Sequence, residues 1–180
     1  IGNEEAKQNE DTKSNTILSK VNSDLKLNEE VRYFSEDNIA VGSGPLPPKV
    51  GQTTSYKVYW NLTNNLHELN NLRLEVALPS YVAWNDKNQT MVGTIYYDES
   101  SRKVIWEIGR LPISVYETSA EFNISITPAE SDRNKVLVLI PGTIIKATDS
   151  ETNSTISKVG KAKTTKLEDD PIAVGDGRVE

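Results

Sequence analysis

The sequence predicts an all-β fold, a two-layered antiparallel β-sandwich, on three observations. Apolar residues recur at every second position in several separate runs, the period of a strand with one buried face. Turn-forming residues separate those runs at intervals of about 8–15 residues. No stretch shows the three-to-four-residue repeat of an amphipathic helix.

The elements follow in chain order. Residues 1–15 are polar and acidic without periodicity and read as a flexible tail or linker. From Thr16 the pattern changes. Ile17, Val21, Leu25, Leu27, Val31 and Tyr33 share one parity, with polar residues on the other, broken chiefly by Leu18 and Glu29. A single strand over 17–33 would extend about 55 Å, far beyond an ordinary strand. The segment 16–34 is therefore expected either to switch sheets at a bend or to form an arm whose first half pairs outside its own domain. The sandwich is expected over 35–167. Inward faces are supplied by Thr54, Tyr56, Val58, Trp60 and Leu62; by Leu72, Leu74, Val76 and Leu78; by Val104, Trp106 and Ile108; and by Ala120, Phe122, Ile124 and Ile126. Lys57, Arg73, Glu75, Lys103, Glu107, Glu121 and Asn123 take the opposite parity and face solvent. Val136 to Ile140 reads as a strand buried on both sides, and residues 168–180 as an acidic, irregular C-terminal tail.

Composition excludes several classes of function. A net charge of -6 disfavours nucleic acid and acidic lipid surfaces as partners. With no cysteine there is neither a disulfide framework nor a thiolate metal site. No apolar run approaches the roughly 20 residues of a membrane span, so no membrane insertion is expected of this segment. A polar start at Ile1 leads us to expect a processed or excerpted polypeptide.

At Ser43-Gly44-Pro45-Leu46-Pro47-Pro48-Lys49-Val50-Gly51-Gln52 the chain resembles the immunoglobulin-like repeat of large bacterial cell-surface proteins, of a type abundant in candidate-phyla bacteria. The resemblance continues through TTSYKVYWNLTNN, LRLEVALPSYVAW, IYYDESSRKVIWEIGRLP and LEDDPIAVGDGRV, covering roughly residues 25–180. It implies an immunoglobulin-like sandwich displayed outside the cell as a stalk, adhesin or envelope-layer module. It brings no catalytic residues.

Candidate chemistry is sparse. His67 is the only histidine, stands in a loop between two strands and reads as solvent-exposed; no strained G-x-S-x-G nucleophile accompanies it. Carboxylates are plentiful, but their bland reading is ordinary surface charge. Glu168, Asp169, Asp170 and Asp176 offer oxygen ligands of the kind calcium takes, yet match no calcium-loop spacing and read as a solvated acidic tail. Asp98 to Ser101 and Asp149 to Thr152 read as turns. Gly175-Asp176-Gly177 lacks the helix that a phosphate cradle needs. Asn61, Asn88, Asn123 and Asn153 open N-x-Ser/Thr sequons; Asn61 and Asn123 point away from the expected core, and Asn88 and Asn153 are placed in turns. Trp60 and Trp106 share the parity of the core, whereas Trp84 is expected to be partly exposed and is the aromatic to test for ligand contact.

These readings converge on a non-enzymatic, extracellular structural module with no cofactor and no metal. Its expected partners are other copies of itself or neighbouring modules, joined by strand pairing through the N-terminal arm. Ile17, Leu18, Val21 and Leu25 are the expected subunit-interface residues. The alternative is an adhesin-type domain that recognises carbohydrate or a host or partner protein.

Overall fold

A computed structural model describes residues 19–180 and places eleven strands in them: β1 (Lys26–Arg32), β2 (Thr54–Thr63), β3 (Leu69–Ala77), β4 (Val82–Thr90), β5 (Thr94–Asp98), β6 (Lys103–Leu111), β7 (Glu117–Ile126), β8 (Val138–Ile140), β9 (Ile144–Asp149), β10 (Thr155–Val159) and β11 (Lys163–Thr164). One sheet has the order β1-β2-β7-β4, the other β10-β9-β3-β6-β5, and β11 pairs with β8. The strand pairs are antiparallel, and the two large sheets pack as a sandwich.

Alternation in the sequence becomes burial in the fold. Along β2, Thr54, Tyr56, Val58, Trp60 and Leu62 are buried while the residues between them stay half-exposed. β7 repeats the pattern opposite it with Ala120, Phe122, Ile124 and Ile126. From the second sheet, Leu72, Leu74 and Val76 on β3 and Val104 and Trp106 on β6 close the core. Trp60 and Trp106, one from each layer, stack with ring centroids 6.4 Å apart, and Phe122 meets Trp60 edge-on at 4.9 Å. Both indole N–H groups are satisfied, that of Trp106 by the Val92 carbonyl and that of Trp60 by Glu29.

The segment 16–34 contains a strand of the sandwich itself. Residues 26–32 form the edge strand β1, paired with β2 from Lys26↔Thr63 to Arg32↔Lys57. Glu29 keeps the inward parity and is buried, so the exception seen in the sequence is one of charge and not of facing. Leu25 is fully buried in the chain's own core. Ile17 and Leu18 lie outside the described residues.

The C-terminal segment requires a correction. Residues 168–180 are irregular, as read, but they are packed against the domain. Leu167, Asp170, Gly177 and Val179 are buried, and Val179 exchanges backbone hydrogen bonds with Asn134 and Lys135. Two carboxylates find partners here, Asp169 with Lys163 and Glu168 with the Thr164 hydroxyl. An acidic run looks solvated in one dimension; here folding supplies each consecutive acid with its own donor.

The two ends of the described chain lie at opposite poles. Ser23 and Lys26 sit beside Asp149 and Thr63, where β2 ends and β3 begins. Glu180 pairs with Pro48 and Val50, and Gly51 with Pro128, at the end where β2 begins and β7 stops. The ten-residue β2–β7 ladder separates them, about 33 Å at the usual rise per residue.

Candidate functional site

The features that set this sandwich apart lie at its two poles and along its first strand. At the N-terminal pole the carboxylate of Asp149, fully buried, accepts the Ser23 N–H at 2.7 Å, the N–H groups of Glu151 and Thr152 at 2.9 and 3.0 Å, and faces His67 Nδ1 at 3.0 Å. Burial works to raise its pKa, but these hydrogen bonds outweigh it and hold the carboxyl well below the usual range. His67 is thus a partner of Asp149 with a quarter of its side chain exposed, not the free loop histidine the sequence suggests. Ser23, His67 and Asp149 are together, but not as a nucleophile and its base. Ser23 Oγ bonds the main-chain O and N of His67, at 3.2 and 3.1 Å, and not its ring. The cluster ties the lead-in to β1 at Ser23 to the β2–β3 loop and the β9–β10 turn.

A second aspartate does the same at the C-terminal pole. Asp170 accepts the N–H groups of Tyr33, Phe34, Ile172 and Ala173, at 2.8, 2.7, 3.0 and 3.0 Å. Burial again raises the carboxyl and the four donors overcome it, so Asp170 is held below its ordinary value.

Between the poles, Glu29 reaches inward from β1. Its Oε1 accepts from Trp60 Nε1 at 3.0 Å and from Thr143 Oγ1, just before β9 in the opposite sheet, at 2.6 Å. Its Oε2 lacks a protein partner. Burial pushes this carboxyl up, against the two bonds that lower it.

Exposed apolar residues gather at the poles. Val21, Leu66, Ile113 and Tyr116 project around the N-terminal pole, from the lead-in to β1 and the β2–β3 and β6–β7 loops. Ile39, Ile172 and Val174 are exposed in the segments that follow β1 and Asp170. Of the expected interface residues, Val21 is therefore on the surface and Leu25 is inside.

A groove of about 570 Å³ runs between the β4 and β5 edges, lined by Tyr81, Trp84, Asp86, Tyr96, Tyr97 and Arg102 among others. Trp84 is half-buried, stacked on Tyr97 at 6.0 Å and tilted against Phe122 at 5.3 Å, with its N–H on Asp86. Tyr81 and Tyr96 are the more exposed rings. Asn61 and Asn123 are half-exposed on outward faces, and Asn153 is exposed in the β9–β10 turn. Asn88 is exposed too, but in β4 rather than in a turn, beyond a bulge at Asn85-Asp86-Lys87. Among the described residues, no three His, Cys, Asp or Glu side chains are grouped to hold a metal ion.

No protein-family model matches the sequence, and neither does any curated protein. Among solved structures, the chain is similar to the major pilin subunit BcpA of Bacillus cereus. That match has a TM-score of 0.50 and 10% identity, over 78% of this chain and 39% of that one. The D312A form of the same pilin matches with TM-score 0.50 and 9% identity, over the same shares. The full-length major pilin SpaD of Corynebacterium diphtheriae matches at 0.48 and 8%, over 78% of this chain and 34% of that one. At these identities the likeness to BcpA is one of fold. The chain spans under two fifths of the length of these pilins.

Proposed function

We propose that this chain is a non-enzymatic structural module of a bacterial cell-surface assembly, a stalk, envelope layer or filament subunit, displayed outside the cell. The observation that carries the reading is that the described chain ends at opposite poles of a rigid two-layer sandwich, the geometry that head-to-tail connection needs. The shared fold with a major pilin subunit is consistent with it. Copies join through the N-terminal arm: of residues 16–24, those ahead of Asn22 and Ser23, which are tied to Thr152 and Asp149 of their own module, lie as an added strand along a sheet edge of the next copy, with Ile17, Leu18 and Val21 as anchors. Because such a contact joins two different surfaces, it propagates instead of closing. Leu25 belongs to the module that carries it.

The test is electron microscopy of the purified full chain against a chain that begins at residue 19, which keeps Ser23, Leu25 and β1 intact. Filaments from the first and monomers from the second are expected. Identical assemblies from both sink the arm as the connector.

A second reading, an adhesin-type domain, is favoured by the aromatic groove between β4 and β5. Tyr81 and Tyr96 offer it more open ring surface than Trp84, whose faces are occupied by Tyr97 and Phe122. A glycan-array signal abolished by Tyr96→Ala supports it, and a blank array removes it.

A further inference from the structure

β1 is an edge strand, yet carboxylate hydrogen bonds tie it and its flanks to distant parts of the chain along its length. Upstream, Ser23 N–H is on Asp149, more than a hundred residues away in sequence. At mid-strand, Glu29 bridges to Thr143 in the opposite layer. Downstream, the outward N–H groups of Tyr33 and Phe34 are on Asp170, and that of Val31 approaches Asp169 at 3.4 Å. An edge strand needs its outward donors satisfied or covered, but ordinary charged side chains or a bulge do that without ties to three other regions. What these ties share is that each resists sliding of β1 along its own axis.

Load transmitted between the poles runs along that axis. The chain enters β1 at the N-terminal pole and ends at Glu180, which is paired with Pro48 and Val50 at the other. Hydrogen bonds of an antiparallel ladder stand perpendicular to the strands. Axial tension therefore strains the seven β1–β2 residue pairs together, whereas tension across the strands opens them one at a time. We infer that β1 and its aspartate ties form a mechanical clamp, and that the module's further function is to carry tension along its long axis. The inference deepens the module reading and rests on it for the direction of load, but not on the way copies join.

The ties suit the task because both aspartates are buried, and a buried ionised acceptor makes strong hydrogen bonds. Asp→Asn at either site keeps the shape but turns one acceptor oxygen into a donor facing N–H groups.

The experiment is force-clamp spectroscopy on the full chain. Handles are placed at its two termini in one sample and at Ser157→Cys and Lys87→Cys, on the β10 and β4 edges, in another. The absence of native cysteine makes the introduced pair the unique attachment points. The terminal geometry is expected to survive a given load longer than the transverse one. Asp149→Asn and Asp170→Asn are each expected to shorten the terminal lifetime about tenfold, the effect of losing one charge-assisted hydrogen bond. Ile156→Val, in the β10 core face and off the load path, lowers chemical stability but leaves that lifetime unchanged. Equal lifetimes in the two directions, or aspartate variants no weaker than Ile156→Val, overturn the clamp. Should one aspartate variant fail to fold, the other and the directional comparison still decide. Filaments from a chain without directional strength overturn the clamp but keep the module; directional strength without filaments keeps the clamp and overturns only the joining of copies through the arm.

Discussion

Three carboxylates with different surroundings give this domain a two-sided response to pH. Asp149 and Asp170 are held below their ordinary values, so the stability they confer is present above about pH 3.8, that of the unfolded carboxyl, and is lost as pH falls through their folded values. Glu29 is shifted the other way. Its folded form binds a proton more tightly than the unfolded chain, so stability declines as pH rises from the unfolded value near 4.5 through the raised folded one. Urea unfolding as a function of pH is expected to show both limbs for the native chain and to lose the upper one in Glu29→Gln, which still accepts from Trp60 and Thr143 through its oxygen. An upper limb unchanged in Glu29→Gln assigns it elsewhere. Asp170→Asn is expected to cost about 1–3 kcal/mol at neutral pH, since buried donors lose an acceptor. Of these residues only Glu29 was legible in the sequence, as a charge at an inward-facing parity. Asp149 and Asp170 stand in acidic, turn-like stretches where a buried acceptor and a solvated one have the same neighbours.

At the scale of elements, legibility followed burial. β2 and β7 alternate most cleanly because one face of each meets the opposite layer, and their inward residues were readable one by one. On β3 the period breaks at Asn70–Asn71, hiding Leu69, and on β6 Ile105 is buried on the other parity between Val104 and Trp106. β4 was hidden by its composition, Asn-Asp-Lys-Asn-Gln, and by the bulge that breaks its period between Trp84 and Asn88. β5, β9 and β10 have only five or six residues each, too few for a period to stand out in the sequence. The turn from β4 into β5 depends on Gly93 at φ +77, where a Cβ would collide with the Glu107 carbonyl oxygen on β6. Gly93→Ala is therefore expected to destabilise by about 1–3 kcal/mol, from left-handed strain alone, and more from the collision; calorimetry reads the lowered Tm. A variant as stable as the native chain contradicts this account of the turn.

For the whole molecule, the two layers are joined through one aromatic seam in which Trp60, Trp106 and Phe122 meet. Trp60→Ala opens a cavity there and strips Glu29 of a donor, so a loss of about 3–5 kcal/mol is expected by denaturant titration. A loss near zero means the seam is not the core. Periodicity identified both tryptophans as core, because parity alone decides which layer a strand residue meets. It did not reveal that the ends of the described chain lie at opposite poles, which depends on which strands neighbour one another and on where the packed C-terminal segment returns.

The proposed connection of copies and the proposed direction of load both rest on that polar arrangement, and a distance measures it. Spin labels at Val21→Cys and Arg178→Cys, both exposed, can be placed without removing native thiols. Pulsed electron–electron resonance is expected to give a separation of about 33 Å or more, the length of the β2–β7 ladder. A separation of about 10 Å, the spacing of two packed sheets, puts both ends at one pole and contradicts the account.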